Sequence, residues 1–346
     1  METRFKKALG RRNELRPPVW FMRQAGRYHS HYQNIRSNAS FLEACRQPDL
    51  ACEVTMGPIE DFDFDAAILF SDILFPLEVM GMPLDFNPGP QLGFLLRDNS
   101  DLDRLHSGQV EALNFQYEAL AKIRTALPSS KGLIGFVGAP LTLFYFATEG
   151  SHKKSLDSAR AGLTDGRFEK FCKFLVPLLI DNMCLQAKAP IDAMAMFDTC
   201  AGDLSPEQHQ QIVVPILAEV MSAFKSKHPE VDIIYYSKGT TDKHWQNVED
   251  LPISCLGVDW NHDLVKVIER YGDHWAVQGN FNQMLLRDTP TDKFADLLRS
   301  YFEPLRQMPA ERRRGWICGL GHGVLPQTPE ANVRTFIQVQ KEVFGE

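Results

Sequence analysis

The sequence predicts an α/β fold, a single (β/α)8 barrel of the TIM type with an N-terminal extension, over residues 1–346. Three observations lead to this prediction. Short runs typical of buried strands recur eight times, each is followed by a turn and then helical periodicity, and no Gly/Ser-rich or Pro-rich linker interrupts the series. Strands that alternate with helices form a parallel sheet covered by helices, and a series without a break favours one closed barrel over two domains.

The eight predicted strands, in chain order, are residues 19–22, 66–70, 133–137, 193–197, 232–236, 255–258, 275–278 and 316–318. The clearest amphipathic helices between them are 110–127, 168–187, 206–227 and 292–302. The third of these has a typical start, because Ser205 can cap the first turn and Pro206 fits its first position. The step from Cys255 to Trp275 is tight for a full unit, so the helix there should be short.

Composition excludes several classes of protein. Hydrophobic residues make up 44% of the chain and charged residues 23%, which are ordinary globular values. The longest apolar run, 174–180, is far shorter than the ~18–20 residues of a membrane span, and the N-terminus lacks the apolar segment of a secretory signal. Seven irregularly spaced cysteines, with no Cys-x-x-Cys or His-x-Cys pair, predict reduced thiols in the cytoplasm and no zinc site.

Charge is distributed unevenly along the chain. The net charge is −7, but residues 1–36 carry nine basic and two acidic side chains. A basic segment on an acidic body suggests local binding of an anion. The alternative is a solvated basic arm, which we favour for Lys6, Lys7, Arg11 and Arg12. No basic stripe with interleaved aromatic residues occurs elsewhere, so nucleic acid is a poor candidate partner.

Barrel enzymes place their chemistry in the loops that follow the strands. In this sequence, polar or glycine-rich segments follow most of the predicted strands. The side chains that could converge there are Arg23, Arg27, Asp72, Tyr145, Thr199 and His322.

Arg23 and Arg27 are four residues apart, so on a helical turn both guanidinium groups would share one side. Arginine recognises carboxylates and phosphates bidentately, which makes the pair a candidate clamp for a polyanion, and Arg36 could extend it. The spacing supports equally well the alternative that these arginines form structural ion pairs with the acidic body.

Asp72 follows an almost wholly apolar strand, where a carboxylate is desolvated unless some group donates to it. It could cap a helix, accept N–H groups of a ligand, or act as an acid or base, and capping is the commonest of these roles.

The remaining candidates are each ambiguous. His322 lies between two glycines, which permit close approach to a ligand, although a single histidine is more often structural. Core packing is the alternative for Tyr145, and helix capping for Thr199. Arginines with one carboxylate, and no metal or nucleotide motif, suggest a cofactor-free site for a polyanionic substrate.

Seven segments resemble, in order, the motifs of one enzyme family, and they are 18–28, 67–74, 135–143, 197–202, 257–260, 277–280 and 320–326. The first, Pro-Val-Trp-Phe-Met-Arg-Gln-Ala-Gly-Arg-Tyr, and the last, Leu-Gly-His-Gly-Val-Leu-Pro, are highly specific. On these segments the sequence closely resembles the uroporphyrinogen decarboxylase family over nearly its whole length.

The resemblance implies a single-domain barrel, usually a homodimer, that works in haem and related tetrapyrrole synthesis without a metal or organic cofactor. Members convert uroporphyrinogen III to coproporphyrinogen III by turning four acetate side chains into methyl groups. By motif, Asp72 would bind the pyrrole N–H groups, and Asp72 and Arg23 would be catalytic. The substrate-binding residues implied are Arg23, Gln24, Ala25, Gly26, Arg27, Arg36, Asp72, Tyr145, Thr199 and His322.

This chemistry suits the residue types. Decarboxylation of an acetate needs an electron sink, and a protonated pyrrole ring can serve as one. A carboxylate beside the pyrrole N–H groups would favour the cation, most strongly in a water-poor cleft, and we expect this role for Asp72. The arginines would hold the substrate carboxylates. Arg23 could also deliver a proton, although a side chain with a pKa above ~12 is a poor acid.

The chain departs from the family pattern at six positions, namely His29, Ser30, His31, Gln33, Ser151 and Cys200. We interpret them as rim positions that affect affinity or isomer preference rather than the reaction.

Two other functions are considered. A zinc-dependent corrinoid methyltransferase shares the barrel but needs a His-x-Cys pair and a later cysteine, whereas His322 is followed by Gly323 and Val324. A non-catalytic tetrapyrrole carrier would keep the arginines and lack the carboxylate, yet Asp72 is present.

Overall fold

The computed structural model describes residues 2–13, 16–87, 89–151 and 155–345. Within these ranges, seven parallel strands form one curled sheet in the order β1-β4-β5-β6-β7-β8-β9, and β2 and β3 form a separate antiparallel hairpin. The strands are β1 (Ala66–Ile68), β2 (Leu84–Phe86), β3 (Pro90–Leu92), β4 (Gly132–Gly138), β5 (Ala193–Asp198), β6 (Asp232–Ser237), β7 (Cys255–Gly257), β8 (Ala276–Phe281) and β9 (Trp316–Leu320). The α/β fold and seven of the eight predicted barrel strands are confirmed.

The predicted strand 19–22 is wrong as a strand, although its first residue does pair. Val19 bridges Cys318 of β9 in parallel orientation. On the other side, the carbonyl of Val19 accepts the backbone N–H of Asp65, just before β1, at 2.8 Å. Residues 18–20 therefore link the two edges of the sheet and close the barrel with a single bridge.

Local chemistry explains why no ladder forms there. Pro18 has no N–H to donate to a neighbouring strand. The Val19 N–H donates to the carboxylate of Asp65 at 2.8 Å instead of to a backbone carbonyl. The chain turns at Met22, so the segment is too short to extend the sheet.

Helices cover the outside of the sheet. They are α1 (Arg4–Leu9), α2 (Ser30–Arg36), α3 (Phe41–Arg46), α4 (Pro48–Phe62), α5 (Phe75–Val79), α6 (Asn114–Ala126), α7 (Pro140–Glu149), α8 (Asp157–Gly162), α9 (Arg167–Ala187), α10 (Pro206–Gln208), α11 (Val214–Lys227), α12 (Asp242–Gln246), α13 (Leu264–Tyr271), α14 (Gln283–Asp288), α15 (Thr291–Gln307) and α16 (Glu330–Phe344). In the described ranges, none of them combines the length and hydropathy needed to cross a bilayer.

The predicted helices are confirmed with two local differences. The segment 168–187 is α9 and 292–302 lies within α15, while α13 is short, with eight residues, as expected. The segment 206–227 is divided by a π-helical turn, His209–Val213, and 110–127 begins with a 3-10 turn before α6.

The interpretation of the basic N-terminal segment as a solvated arm is wrong for Lys6 and Arg11, which bond to the body of the protein. Lys6 pairs with Asp232 at 2.8 Å, and Arg11 donates to the backbone carbonyl of Asp273, whereas Arg12 is exposed and pairs with Glu2 of the same segment. On the opposite face of α1, Phe5, Ala8 and Leu9 are buried. Helix α1 is thus part of the folded body, held by apolar contacts and by these cations.

The predicted helix start at Ser205 gives a stability test. The Ser205 hydroxyl accepts the Gln208 N–H at 3.2 Å, and the Gln208 side chain accepts the Ser205 N–H at 3.0 Å. We expect Ser205→Ala to lower the free energy of unfolding by about 1 kcal/mol, measured by urea denaturation. The matched control is Ser226→Ala near the exposed end of α11, which removes no cap and should cost nothing measurable.

Candidate active site

A cleft of about 330 Å³ opens at the carboxyl-terminal end of the barrel. Its walls are mainly apolar: Phe70, Phe136 and Phe197 lie at or near the ends of three neighbouring strands, and Phe41 and Phe86 close another side with ring centroids 4.5 Å apart. The polar or charged side chains that line it are Arg23, Arg27, Tyr32, Arg36, Ser71, Asp72, Thr199 and His322. An apolar concavity with a few polar groups is typical of a small-molecule site.

The turn that presents Arg23 is held by Gln24. The Gln24 side chain donates to the carbonyl of Ala66 at 3.0 Å and accepts the N–H of Phe21 at 3.2 Å. The Tyr28 hydroxyl donates to the Gln24 carbonyl at 2.8 Å. Gln24 is therefore buried beneath the cleft as a support, while Arg23 takes a left-handed φ of 61° above it.

The three arginines predicted for substrate binding all line the cleft, together with Ala25 and Gly26. In the described chain, no carboxylate lies within 4.0 Å of the guanidinium groups of Arg23, Arg27 or Arg36. Most other arginines are paired, and they include Arg4, Arg12, Arg16, Arg46, Arg97, Arg160, Arg167 and Arg270. The alternative of structural ion pairs therefore does not describe these three residues.

One carboxylate oxygen of Asp72 accepts a hydrogen bond within the protein, and the other has no hydrogen-bond partner among the described residues. Its Oδ1 accepts the N–H of Leu74 at 2.9 Å, which caps the turn before α5. Among the described residues, nothing donates to Oδ2. Burial raises the pKa of Asp72 to about 6, although the Leu74 N–H and the charge of Arg23 act against the shift. Asp72 thus performs the predicted cap and still presents an oxygen without a hydrogen-bond partner to the cleft.

His322 is a neutral imidazole at physiological pH. Burial, together with the positive charges of Arg23 and Lys238, lowers its pKa to about 4. Its ring meets Tyr236 and Trp260 edge-on, at centroid distances of 6.4 and 6.0 Å. A neutral ring can both donate and accept a hydrogen bond.

The glycines beside His322 make room for the protein rather than for a ligand. A Cβ on Gly321 would lie 2.3 Å from the backbone nitrogen of Trp260, and one on Gly323 would lie 2.5 Å from Cδ of Arg23. The small residues let two loops cross and let the Arg23 side chain lie against the His322 loop.

Tyr145 does not line the cleft in this structure. Its side chain is buried, and its hydroxyl donates to Asp203 at 2.7 Å; Arg160 pairs with the same carboxylate. Desolvation by burial, with the hydrogen bond to Asp203, raises the pKa of Tyr145. Thr199, in contrast, does line the cleft.

Two positions interpreted as rim positions are in fact interior. His29 is fully buried and pairs with Asp61 at 2.7 Å, and Cys200 is buried behind Thr199. Ser30 is exposed, but its N–H donates to Glu330 at 2.6 Å. The interpretation as a rim is wrong for His29 and Cys200, because their side chains pack inward.

Sequence reasoning missed the aromatic wall of the cleft. Phe70, Phe136 and Phe197 lie within predicted strands, near their carboxyl ends, and that position is the signal that could have identified them. Phe86 belongs to the hairpin, which was not predicted. Its turn signal, Asn87-Pro88-Gly89, is present in the sequence.

Comparison with known proteins decides the family. The family model described as uroporphyrinogen decarboxylase (URO-D) matches residues 1–343. The chain belongs to the uroporphyrinogen decarboxylase family. The uroporphyrinogen decarboxylase of Chlorobium phaeobacteroides is 33% identical over 345 residues, which cover 98% of this chain and 97% of that protein. That of Koribacter versatilis is 34% identical over 336 residues, covering 95% and 93%.

Solved structures support the barrel of this uroporphyrinogen decarboxylase family member. A methyltransferase from Methanosarcina mazei superposes with a TM-score of 0.75 at 18% identity, over 99% of this chain and 98% of that one. A putative vitamin-B12-independent methionine synthase from Listeria monocytogenes gives 0.56 at 12% identity, over 96% and 97%. At these identities the likeness concerns the fold alone.

The methyltransferase hypothesis gains no support from the side chains. In the parts of the chain that the structure describes, no three His, Cys, Asp or Glu residues converge as a metal site requires. The uroporphyrinogen decarboxylase family match extends over nearly the whole chain, whereas the methyltransferase shares the fold only.

Proposed function

We propose that this protein converts uroporphyrinogen III to coproporphyrinogen III in tetrapyrrole biosynthesis, removing four carboxyl groups as carbon dioxide. We further propose that it needs no metal or organic cofactor, since the substrate ring supplies the electron sink, and that it works as a cytoplasmic homodimer. Family membership supports the reaction. The single observation that carries it in the described part of this chain is that Asp72, with one oxygen free of hydrogen bonds and a raised pKa, lines the same cleft as three arginines without carboxylate partners.

Each structural element has a place in the proposed reaction. The substrate carries eight carboxylates, and charge-assisted bonds from Arg23, Arg27 and Arg36 would bind several of them. The apolar faces of the pyrrole rings would lie against the phenylalanine wall. Asp72 would accept pyrrole N–H groups through Oδ2, where the low-dielectric surroundings make its negative charge effective.

The proposed decarboxylation of each acetate begins and ends with a proton transfer. A proton adds to the ring carbon beside the one that bears the acetate, which gives a cation conjugated with the ring nitrogen. The acetate C–C bond then breaks, carbon dioxide leaves, and the electron pair forms an exocyclic methylene as the cation is neutralised. Protonation of the methylene and loss of the ring proton give the methyl group. Asp72 would stabilise the cation at both stages.

Arg23 is proposed to deliver the first proton. Burial lowers the pKa of Arg23, and the charge of Arg27 lowers it further, while Asp72 acts in the opposite direction. The Arg23 side chain is exposed to the cleft, and a guanidinium beside a second cation gives up its proton more readily than an isolated one in water.

The test is anaerobic incubation with uroporphyrinogen III, followed by oxidation and chromatography of the porphyrins by carboxyl number. Enzyme pretreated with a chelator should give seven-, six-, five- and then four-carboxyl species, with matching release of carbon dioxide. An unchanged eight-carboxyl peak from folded, porphyrinogen-bound protein would indicate a carrier instead.

The pH dependence should report Asp72. The pKa of Asp72 is raised to about 6, and the proposed role needs the ionised form. As the pH falls, kcat/KM should therefore drop to half its neutral-pH value near pH 6 and then about tenfold for each pH unit below that. The control is Asp198→Asn, since burial also raises the pKa of Asp198 to about 6. Its oxygens accept from Thr142 and Tyr235 at 2.9 and 3.0 Å. A folded Asp198→Asn enzyme should keep the same profile, and loss of the acid limb there would assign it to Asp198.

A further inference from the structure

Lys238 is a cation at the barrel mouth that the reaction described above does not use. It directly follows β6, at the carboxyl-terminal end where the cleft opens. Counted around the closed barrel, β6 is the fourth strand from residues 18–20 in either direction. Lys238 therefore lies across the barrel mouth from the turn that presents Arg23.

The main chain of Lys238 is fixed while its ammonium group has no carboxylate partner. Its N–H donates to the carbonyl of Asp198 at 3.2 Å, and its carbonyl accepts the Gly202 N–H at 3.0 Å. In the described part of the chain, no carboxylate lies within 4.0 Å of its ammonium. Lys6 and Lys122, by comparison, both pair with an aspartate at 2.8 Å.

The neighbouring carboxylate, Asp259, is committed elsewhere. It is fully buried, and its two oxygens accept the N–H groups of Gly239 at 2.6 Å and Asn261 at 2.8 Å. The ammonium of Lys238 lies instead 5.9 Å from the ring centroid of Trp260, within the range of a cation–π contact. The ring restrains the ammonium without neutralising it.

A continuous set of contacts joins Lys238 to the cleft. The Trp260 ring that it approaches meets the His322 ring at 6.0 Å, and His322 lines the cleft. The charge of Lys238 also lowers the pKa of His322, which places the two groups within electrostatic reach.

We propose that Lys238 binds a carboxylate of the substrate at the edge of the cleft, beyond His322, with Trp260 holding the ammonium in position. This inference rests on the proposed function, because a tetrapyrrole has acidic arms on all four rings. Arginines on one side of a barrel mouth cannot reach all of them. A cation beyond His322 would fix the orientation of the ring over Asp72.

The experiment compares Lys238→Gln with Lys243→Gln, which removes the same charge from the exposed helix α12. Binding of uroporphyrinogen III is measured anaerobically by calorimetry in an Asp72→Asn background, in which turnover is slowed. We expect Lys238→Gln to raise Kd about tenfold, as for a lost bond to a charged group, and Lys243→Gln to leave it unchanged. Lys238→Arg should retain most of the affinity.

The result is independent of whether the wild-type enzyme turns over. Equal Kd values for the two glutamine variants, both folded by circular dichroism, would overturn the role of Lys238 even if decarboxylation is observed. A selective loss of affinity would support it even if no carbon dioxide were released. Repeating the titration with coproporphyrinogen III identifies the arm: a loss with both ligands indicates a propionate, and a loss with uroporphyrinogen alone indicates an acetate.

Discussion

Asp72→Asn should lower kcat about 10²- to 10³-fold, the range seen when one preorganised charge-stabilising group is removed from an active site. The amide cannot neutralise a cationic ring. Its Oδ1 can still accept the Leu74 N–H, so the turn before α5 should be preserved. Initial rates under anaerobic conditions, read as porphyrins of decreasing carboxyl number, provide the measurement.

The same substitution should not weaken the fold, and this separates chemistry from stability. The folded-state pKa of Asp72 is raised to about 6, so its ionised form is disfavoured in the folded protein relative to the unfolded one. Above that pH the carboxylate opposes folding, and a neutral amide removes the penalty. The variant should melt at or above the wild-type temperature at pH 7.5. Unchanged kcat in a folded variant would contradict the assigned role.

Arg23→Gln should lower kcat/KM about 10- to 100-fold, because it removes a hydrogen-bonding cation from a substrate carboxylate. If Arg23 also supplies a proton, the variant should show a lower kcat in addition to a higher KM. The measurement is the full rate dependence on uroporphyrinogen III at fixed ionic strength. Raising the salt concentration should weaken substrate capture by the wild type more than by the variant.

A matched control for charge is Arg299→Gln. Arg299 is half-exposed on α15 and pairs with Glu342 at 2.6 Å, far along the chain from the cleft turn. Its replacement changes the net charge equally and should leave kcat/KM within twofold, by the usual size of surface effects. An equal loss in both variants would show that net charge, rather than the cleft, determines substrate capture.

The barrel strands could be predicted because each carries its own signal. The runs in β4, β5 and β6 are buried and β-prone, and Ser205 with Pro206 marks a helix start by local hydrogen bonding alone. Segment 19–22 is also apolar, but whether it forms a strand depends on Asp65, which accepts the Val19 N–H. A contact between residues distant in sequence cannot be read from the strand itself.

In the site, too, the positions of the residues could be predicted from the sequence, but the directions of their side chains could not. Arg23, Arg27, Arg36, Asp72, Thr199 and His322 were placed by motif resemblance and by their positions after strands, and the structure brings them to one cleft. Gln24 and Tyr145 belong to the same segments, yet they point inward to Ala66 and Asp203. Direction depends on the turn's dihedral angles and on tertiary partners, which a linear motif does not encode.

The single bridge at residues 18–20 ties the assembly of the site to completion of the barrel. Residues 18–20, which close the barrel, lead directly into the turn that presents Arg23. A molecule in which this bridge is open therefore lacks the formed arginine turn. Loss of this bridge should therefore lower the affinity for anions as well as the stability of the barrel.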